Sequence, residues 1–337
     1  MTGYLDILSA GPGISVQDLG RSGYTALGLS TGGAADRRAL WEATALLGQS
    51  RPLAALELPL TGGRFAVTAP TRIALTGAPM QASRDGKPLI WNASHRLEPG
   101  EFLDLRPGEN GVYGYLSLAG GVLTPETLGA RATLAAAGLG TLVQSGMRLP
   151  VGPDPAPDAP AQRLPTDDRF TGGALRVIDG PQTALFYTGT RSRAFATAFR
   201  AGPASRQGLA LLQDGASFGT ATAGLLSDFI GPGDIQMTGA GQAVVLLADC
   251  QTIGGYPRLG TVIPADLPRA AQARPGTALT LVPISLEAAE IASPPEVLWL
   301  GPLRARLLPL TRDPRDIPDL LSYQLISGAV RGDEEDA

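Results

Sequence analysis

The sequence has very few of the residues from which metal centres and disulfides are built. Its 337 residues include one cysteine, Cys250, one histidine, His95, and one lysine, Lys87, beside 26 arginines. A single cysteine excludes an intrachain disulfide and fits a reducing compartment. A single histidine excludes a multi-histidine metal site. We therefore expect no metal bound by this chain alone.

Strong charge of one sign and long apolar runs are also missing. The formal net charge is −4, so no overall field attracts the protein to nucleic acid or to an anionic membrane. No apolar run approaches the length of a membrane span, and the first residues lack the basic and apolar regions of a signal peptide. The sequence predicts a cytoplasmic protein without nucleic-acid or membrane partners.

Glycine and proline are abundant, whereas aromatic residues are scarce. Forty-four glycines and 29 prolines separate short apolar stretches, and aromatic residues make up 5% of the chain. Glycine and proline recur between short segments that alternate apolar and polar residues. This pattern favours strands over helices, so we expect a mainly β protein. One clear helix is predicted over residues 37–47, with Asp36 as its N-cap and Gly48 as its end. Shorter helices are predicted over residues 191–199, after Asp266, and at residues 320–326.

Composition divides the chain into four parts. Residues 1–150 are predicted to form an N-terminal β-rich lobe, and residues 173–286 a C-terminal one. Between them lies a proline-rich, acidic linker at residues 151–172, and residues 287–337 form a C-terminal extension. Proline–glycine and glycine-rich turns recur in the same order about 170 residues apart. This weak internal repeat predicts that the two lobes are homologous.

Residues 249–258, with the sequence DCQTIGGYPR, stand out within the second lobe. They follow the apolar run 243–248, which is typical of a buried strand. The stretch places Asp249, Gln251 and Thr252 close together ahead of the flexible pair Gly254 and Gly255. Two interpretations fit: a ligand-binding loop on a rigid scaffold, or a tight turn whose polar side chains bond only the local backbone.

Several motifs together resemble one known family. They are the stretch SVQDLGR at residues 15–21 with its flanks, and residues 30–36, 75–78, 129–134 and 249–258. They resemble the family of 5-oxoprolinase C subunits, also called KipA-like or allophanate hydrolase subunit 2-like, which is related to the carboxyltransferase domain of urea carboxylase. The resemblance covers roughly residues 5–285. It implies a mainly β fold of two homologous cyclophilin-like β-barrel lobes with a few short helices.

The resemblance also implies a function that is shared between chains. Such a C subunit works with an A-type and a B-type (KipI-like) 5-oxoprolinase subunit in an ATP-dependent hydrolase. The complex converts 5-oxo-L-proline, ATP and water to L-glutamate, ADP and phosphate. ATP, with Mg²⁺, is then expected to be shared with the two partner proteins, and no cofactor is attached covalently to this chain.

The resemblance and the residue chemistry together nominate site residues for a small amide or lactam substrate. Arginines suit carboxylate or phosphate recognition, glutamines suit amide recognition, and an aspartate suits a general base. Each of these side chains also suits a purely structural role, at a strand end or within a turn. The candidate catalytic residues are Asp249, Gln251 and Thr252; the candidate substrate-binding residues are Gln17, Arg21, Arg131, Arg206, Gln236, Gly254, Gly255, Tyr256 and Arg258.

Two other functions stay open. One is carboxyl transfer from carboxybiotin to a urea-like nitrogen, with the biotin carried by another chain, because the only lysine here lies in the sequence DGKP. The other is a non-catalytic KipA-like regulator that binds a KipI-like partner. Cys250 stands where the family usually has arginine. Ser205 and Ala210 stand where it usually has aspartate and a second arginine, and these two losses favour the regulator, whereas the retained residues 251–257 favour the enzymes. Association of two copies into a homo-oligomer also stays open.

Overall fold

The chain folds into two β-rich lobes followed by a short helical extension. The computed structural model describes residues 3–218 and 225–311. The mainly β prediction is confirmed. The strands that precede the second lobe are β1 (Gly3–Ala10), β2 (Ser15–Gln17), β3 (Ala55–Pro59), β4 (Gly63–Val67), β5 (Thr71–Gly77), β6 (Gln81–Arg84), β7 (Lys87–Pro88), β8 (Ala93–Leu97), β9 (Leu103–Arg106), β10 (Tyr113–Leu118), β11 (Arg148–Val151) and β12 (Gln162–Arg163).

Two sheets enclose the core of the first lobe. One has the strand order β11-β1-β4-β9-β6-β7, and the other begins β2-β3-β10-β5-β8-β12. Alternating side chains of both sheets point inward, as the two-residue period of a strand requires. Leu5 and Phe65 of the first sheet therefore share one fully buried cluster with Leu56, Leu75 and Leu116 of the second.

A closed barrel forms the second lobe. Seven strands join in the order β13-β20-β17-β18-β15-β14-β21, and β21 closes the ring by pairing in parallel with β13. A separate two-stranded sheet, β16 with β19, stands beside the barrel. The strands are β13 (Gly173–Ile178), β14 (Ala198–Ala204), β15 (Gly208–Leu212), β16 (Asp228–Phe229), β17 (Asp234–Met237), β18 (Ala243–Leu246), β19 (Ile253–Gly254), β20 (Arg258–Val262) and β21 (Ala278–Pro283).

The main helix forms where its capping residues predict it. Helix α1 covers Arg37–Leu46, and the Asp36 side chain accepts a hydrogen bond from the Ala39 N–H at 3.2 Å. Gly48, at a φ of 70°, ends it. Helix α2 covers Thr188–Ala196, three residues earlier than predicted, and α3 covers Leu267–Gln272 after a 3₁₀ turn at Pro264–Asp266.

The internal repeat is visible in the turns. Gly100 and Gly276 follow the two matching prolines, and both adopt a left-handed backbone, with φ of 93° and 88°. Each turn is closed by the same hydrogen bond, from Glu101 to Glu98 and from Thr277 to the arginine before Pro275, at 3.1 and 3.0 Å. The strands that follow pair differently, because β9 lies between β4 and β6 whereas β21 lies between β13 and β14.

The proline-rich linker is fastened to the first lobe. Asp154 accepts three hydrogen bonds from Arg72, from its backbone N–H and from Nε and Nη2, at 2.8 to 3.0 Å. Both side chains are almost fully buried. Burial alone would raise the pKa of Asp154, but its hydrogen bonds to Arg72 and Ala156 outweigh burial and lower it. The carboxylate is therefore stabilised in its charged form.

We expect Asp154→Asn to destabilise the protein most at neutral pH. A carboxyl with a lowered pKa stabilises the fold above its ordinary value of 3.8, and that contribution disappears as the pH falls through the folded pKa. The difference in urea midpoint between wild type and variant should be largest at pH 7 and shrink below about pH 4. A difference that stays constant from pH 7 to pH 3 would contradict this account.

The extension returns from the second lobe to pack on the first. It contains α4 (Leu286–Ala292), a 3₁₀ turn (Glu296–Trp299), α5 (Leu300–Ala305) and β22 (Leu308–Pro309), which pairs with β12 and completes the second sheet. Leu303 and Trp299 pack with Trp41 and Leu46 of α1. The predicted turn at 320–326 lies outside the described residues. In residues 3–218 and 225–311, no helix has both the length and the apolarity to cross a bilayer.

Candidate functional site

A buried ion-pair network joins the two lobes at Arg206. This residue lies in the turn between β14 and β15, and its Nε and Nη2 donate to the Asp249 carboxylate at 2.7 and 2.9 Å. Its Nη1 donates to Glu57 of β3, and Nη2 also donates to the carbonyl oxygen of Gly33. Burial would lower the pKa of Arg206, but Glu57 and Asp249 outweigh burial and raise it. Arg206 is therefore a fixed cation between the lobes.

Glu57 extends this network into the first lobe. Its Oε2 accepts from the Tyr115 hydroxyl at 2.6 Å and from the Ala35 N–H at 2.8 Å. The Tyr115 oxygen in turn accepts from the Asp36 N–H at 2.8 Å. Burial, together with the nearby Glu57 carboxylate, raises the pKa of Tyr115. The tyrosine therefore stays neutral and donates its proton to the bond with Glu57.

The network continues through the cap of α1. Asp36 accepts from Arg169 Nε at 2.9 Å and from Gln272 Nε2 at 2.8 Å. Gln272 belongs to α3 of the second lobe and also bonds the backbone N–H and carbonyl of Tyr113, each at 2.9 Å. Arg169 further donates two hydrogen bonds to Glu42, at 2.8 and 2.7 Å. The relative position of the lobes is thus fixed by several buried polar contacts.

A cavity of about 310 Å³ lies beside this network, between the lobes and the extension. A β-carbon built on Gly32, in its wall, would lie 3.5 Å from Asp249 Oδ1, so the cavity is next to the Arg206–Asp249 pair. Its volume is at the lower end of the range typical of small-molecule sites. It is lined by Thr31, Gly32, Ala34, Ala35, Arg37, Pro232, Leu247, Ala248, Pro264, Leu267, Pro268 and Glu296.

Three of the nominated residues anchor first-lobe loops near this interface. Arg21 is fully buried and donates to the carbonyl oxygens of Thr127 and Ala132. Gln17 donates to the Thr133 carbonyl oxygen at 3.1 Å. Arg131 donates to the carbonyl oxygen of Thr124, and its own N–H donates to Asp18 at 2.7 Å. The backbone of Asp18 and Arg21 bonds residues 31–34, which connects these loops to the cavity wall.

The other nominated residues form a second group, on the barrel. Arg258 donates to Asp228 at 2.5 Å and to the Phe229 carbonyl oxygen at 2.7 Å. Gln236 is buried directly beneath Gly254, where an added β-carbon would lie 2.6 Å from its Nε2. Thr252 is buried, whereas Gln251, Gly255 and Tyr256 are exposed. The stretch 249–258 therefore divides, with Asp249 at the lobe interface and its later residues beside the barrel.

Sequence reasoning missed Glu57, Arg37 and Glu296. Glu57 is the only charged residue in β3 and is fully buried between Leu56 and Leu58. A charge within an apolar strand was the available signal, because buried carboxylates need a partner. Arg37 and Glu296 gave no comparable signal, since they are 259 positions apart and pair only after folding.

Cys250 is buried next to this site and should be unreactive in the folded protein. Burial, followed by the Asp234 and Asp249 charges, raises the pKa of its thiol to about 12. Because the thiolate is the nucleophile, labelling by a disulfide reagent at pH 8 should be at least about a hundredfold slower than in denaturant. Rapid and complete labelling of the native protein would contradict the buried placement.

Comparison with known proteins gives matches along most of the chain. The carboxyltransferase domain family, subdomains A and B, matches residues 27–283. The C subunit of 5-oxoprolinase from Escherichia coli (strain K12) is 32% identical over 291 residues, which cover 85% of this chain and 93% of that protein. The protein of the same name from Haemophilus influenzae is 28% identical, over 89% of this chain and 97% of that protein.

Solved structures lead to the same family. The K. lactis urea amidolyase superposes with a TM-score of 0.77 at 25% identity, over 85% of this chain. This chain spans only 19% of that much longer protein. The family match covers well over half of the sequence, from the first-lobe loops to the last barrel strand. The chain therefore belongs to the carboxyltransferase domain family, subdomains A and B.

Proposed function

We propose that this chain is the C subunit of a 5-oxoprolinase-like complex, which opens 5-oxo-L-proline to L-glutamate at the expense of ATP. The observation that carries the proposal is the extent of the match to the C subunit of 5-oxoprolinase, which includes 93% of the E. coli protein. The urea amidolyase of Lachancea kluyveri is matched over only 17% of its length. The match therefore includes nearly all of a 5-oxoprolinase C subunit but only a small part of a urea amidolyase.

The cavity between the lobes is our proposed substrate site. Its volume of about 310 Å³ suits a five-membered lactam, and most of its lining is apolar. Carboxylate and guanidinium groups border it, so a polar ring substituent has partners there. Fixed charges around a small, mostly apolar site can stabilise a developing charge on a carbonyl oxygen.

Asp249 is our proposed positioning residue for this site. Its carboxylate is held by two hydrogen bonds from Arg206 and approaches Gly32 in the cavity wall. A carboxylate fixed in this way can orient an amide N–H or a water molecule next to the lactam carbonyl. Gln251 and Thr252 follow it in the chain but do not line the cavity, so we assign them no contact with this substrate.

ATP and Mg²⁺ are proposed to bind mainly on the A-type and B-type partner proteins. The cavity is small for a nucleotide, and its single arginine already pairs with a carboxylate. A triphosphate needs several donors that are not neutralised internally. In the complex, the partners would supply the activated phosphate, and this chain would hold the lactam.

The proposal is tested by leaving each chain of the complex out of a turnover assay. The chain is purified together with the A-type and B-type partners of its own organism, and release of glutamate and ADP from 5-oxo-L-proline and ATP is measured with each chain left out in turn. We expect turnover only when all three are present. A stable three-chain complex without turnover would contradict the proposal.

Carboxyl transfer is the second candidate, because the superposition on urea amidolyase is as close as a TM-score of 0.77. The only lysine of these 337 residues, Lys87, lies in β7 within the sequence DGKP, so the biotin would have to be carried outside them. If the chain catalyses this reaction, it should decarboxylate free carboxybiotin slowly, and urea-like acceptors should accelerate the consumption of carboxybiotin. No acceleration by any amide acceptor would exclude it.

A further inference from the structure

One pair of opposite charges lines the cavity between the lobes. Within residues 3–218 and 225–311, Arg37 and Glu296 are the only lining residues with ionisable side chains. The remaining lining is Thr31 together with glycine, alanine, leucine and proline. An anionic ligand that entered the cavity would therefore find a single cationic partner, Arg37.

Arg37 is already oriented to bind a carboxylate with two hydrogen bonds. Its Nη1 donates to the Leu19 carbonyl oxygen, which fixes the plane of the guanidinium group. Nε and Nη2 then donate to the two Glu296 carboxylate oxygens at 2.6 and 2.8 Å. This parallel arrangement is the one in which arginine recognises free carboxylates. Glu296 thus occupies the position that a ligand carboxylate would take.

Exchange of the two carboxylates would cost little. The Arg37 and Glu296 side chains are 33% and 27% exposed to solvent. An ion pair that is partly exposed contributes little to the net stability of the fold. The only other side-chain hydrogen bond to the Glu296 carboxylate among the described residues is a long one from Trp41 Nε1, at 3.4 Å. The extension is also held by apolar packing around Leu303 and Trp299 and by the pairing of β22 with β12, which exchange of the ion pair leaves in place.

Glu296 and Arg37 come from different parts of the chain. The family match ends at residue 283, and Glu296 lies in the extension that follows. Arg37 lies inside the matched region, at the start of α1. The extension therefore adds an acidic group to a cavity whose other lining residues belong to the two lobes.

We propose that Arg37 binds the carboxylate of a small anionic substrate in this cavity and that Glu296 competes with it as an internal carboxylate. When the ligand carboxylate binds to the guanidinium group of Arg37, it displaces the carboxylate of Glu296. The extension sets how strongly this chain binds its substrate. The choice of 5-oxo-L-proline as the probe rests on the proposed function, but the exchange itself does not.

Direct binding to the isolated full-length chain tests this. Calorimetry or ligand-observed NMR is used with 5-oxo-L-proline and with 2-pyrrolidone, the same ring without its carboxylate. Glu296→Gln keeps the shape of the side chain and removes the competing charge, so we expect about fivefold tighter binding of 5-oxo-L-proline. Arg37→Gln should weaken it at least about tenfold. Neither change should alter 2-pyrrolidone binding more than about twofold.

A matched control is Arg191→Gln on the second lobe. Arg191 forms an ion pair with Asp179, and its side chain is as exposed as that of Arg37. The substitution should leave both ligands unaffected. The inference is overturned if Arg37→Gln binds 5-oxo-L-proline as the wild type does, if Glu296→Gln binds it no more tightly, or if no variant binds it. Because no partner protein or ATP is present, failure here is separate from failure of the turnover assay.

Discussion

Replacing Arg206 by alanine is expected to lower the free energy of unfolding by about 3–5 kcal/mol. The substitution leaves the Glu57 and Asp249 carboxylates buried without their shared cation. Glu57 is only 1% exposed, so water cannot replace the lost hydrogen bonds. The loss should appear as a large drop in the urea midpoint, followed by far-UV circular dichroism.

An exposed ion pair on β14, the strand before Arg206, provides the control. Arg200 of β14 pairs with Asp214, and both side chains are mostly in solvent. Arg200→Ala should leave the midpoint unchanged within error. If Arg206→Ala were as mild as Arg200→Ala, the buried network between the lobes would not be a determinant of their association.

Replacing Arg169 by alanine should have an effect of similar size, about 3–5 kcal/mol. Its guanidinium group is the common partner of Asp36 and Glu42, both buried, and of Asp167. Burial already raises the pKa of Glu42 despite the nearby arginine. Without Arg169, the carboxyl of Glu42 should take up a proton and the cap of α1 should lose its support.

Tryptophan fluorescence reports this change locally, because Trp41 lies in α1 and Trp299 packs against it. Arg38→Ala is the matched control, since Arg38 contacts the same carboxylates of Glu42 and Asp167 but is 35% exposed. It should cost about 1 kcal/mol or less. Equal losses for Arg169 and Arg38 would show that burial does not decide the strength of these pairs.

Local features of the fold were predictable, because nearby residues determine them. Asp36 was correctly identified as the cap of α1, since a carboxylate beside a free helix N–H needs no distant partner. Frequent glycine and proline turns correctly indicated a mainly β protein. Strand pairing was not predictable in the same way. Closure of the barrel depends on the parallel contact of β13 with β21, which are about 100 residues apart in the chain.

The environments of the nominated site residues were less predictable. The sequence indicated that arginines could bind anions, but it did not show that Arg206 meets Glu57 across 149 positions or that Arg258 meets Asp228. Asp249 was interpreted either as a catalytic group or as a residue that hydrogen-bonds the backbone of the glycine turn after it. In the structure it bonds Arg206 instead. Which carboxylate neutralises which arginine is decided by tertiary contacts, so their roles in catalysis remain predictions.

The most direct test of our central claim is to fill the cavity in the assembled complex. Ala248 lines it, and Ala248→Phe should abolish glutamate release from 5-oxo-L-proline while the three chains still co-purify. Ala240→Phe, at an exposed turn of the same barrel, should keep full turnover. Normal turnover by the Ala248→Phe complex would contradict the claim that this cavity holds the substrate.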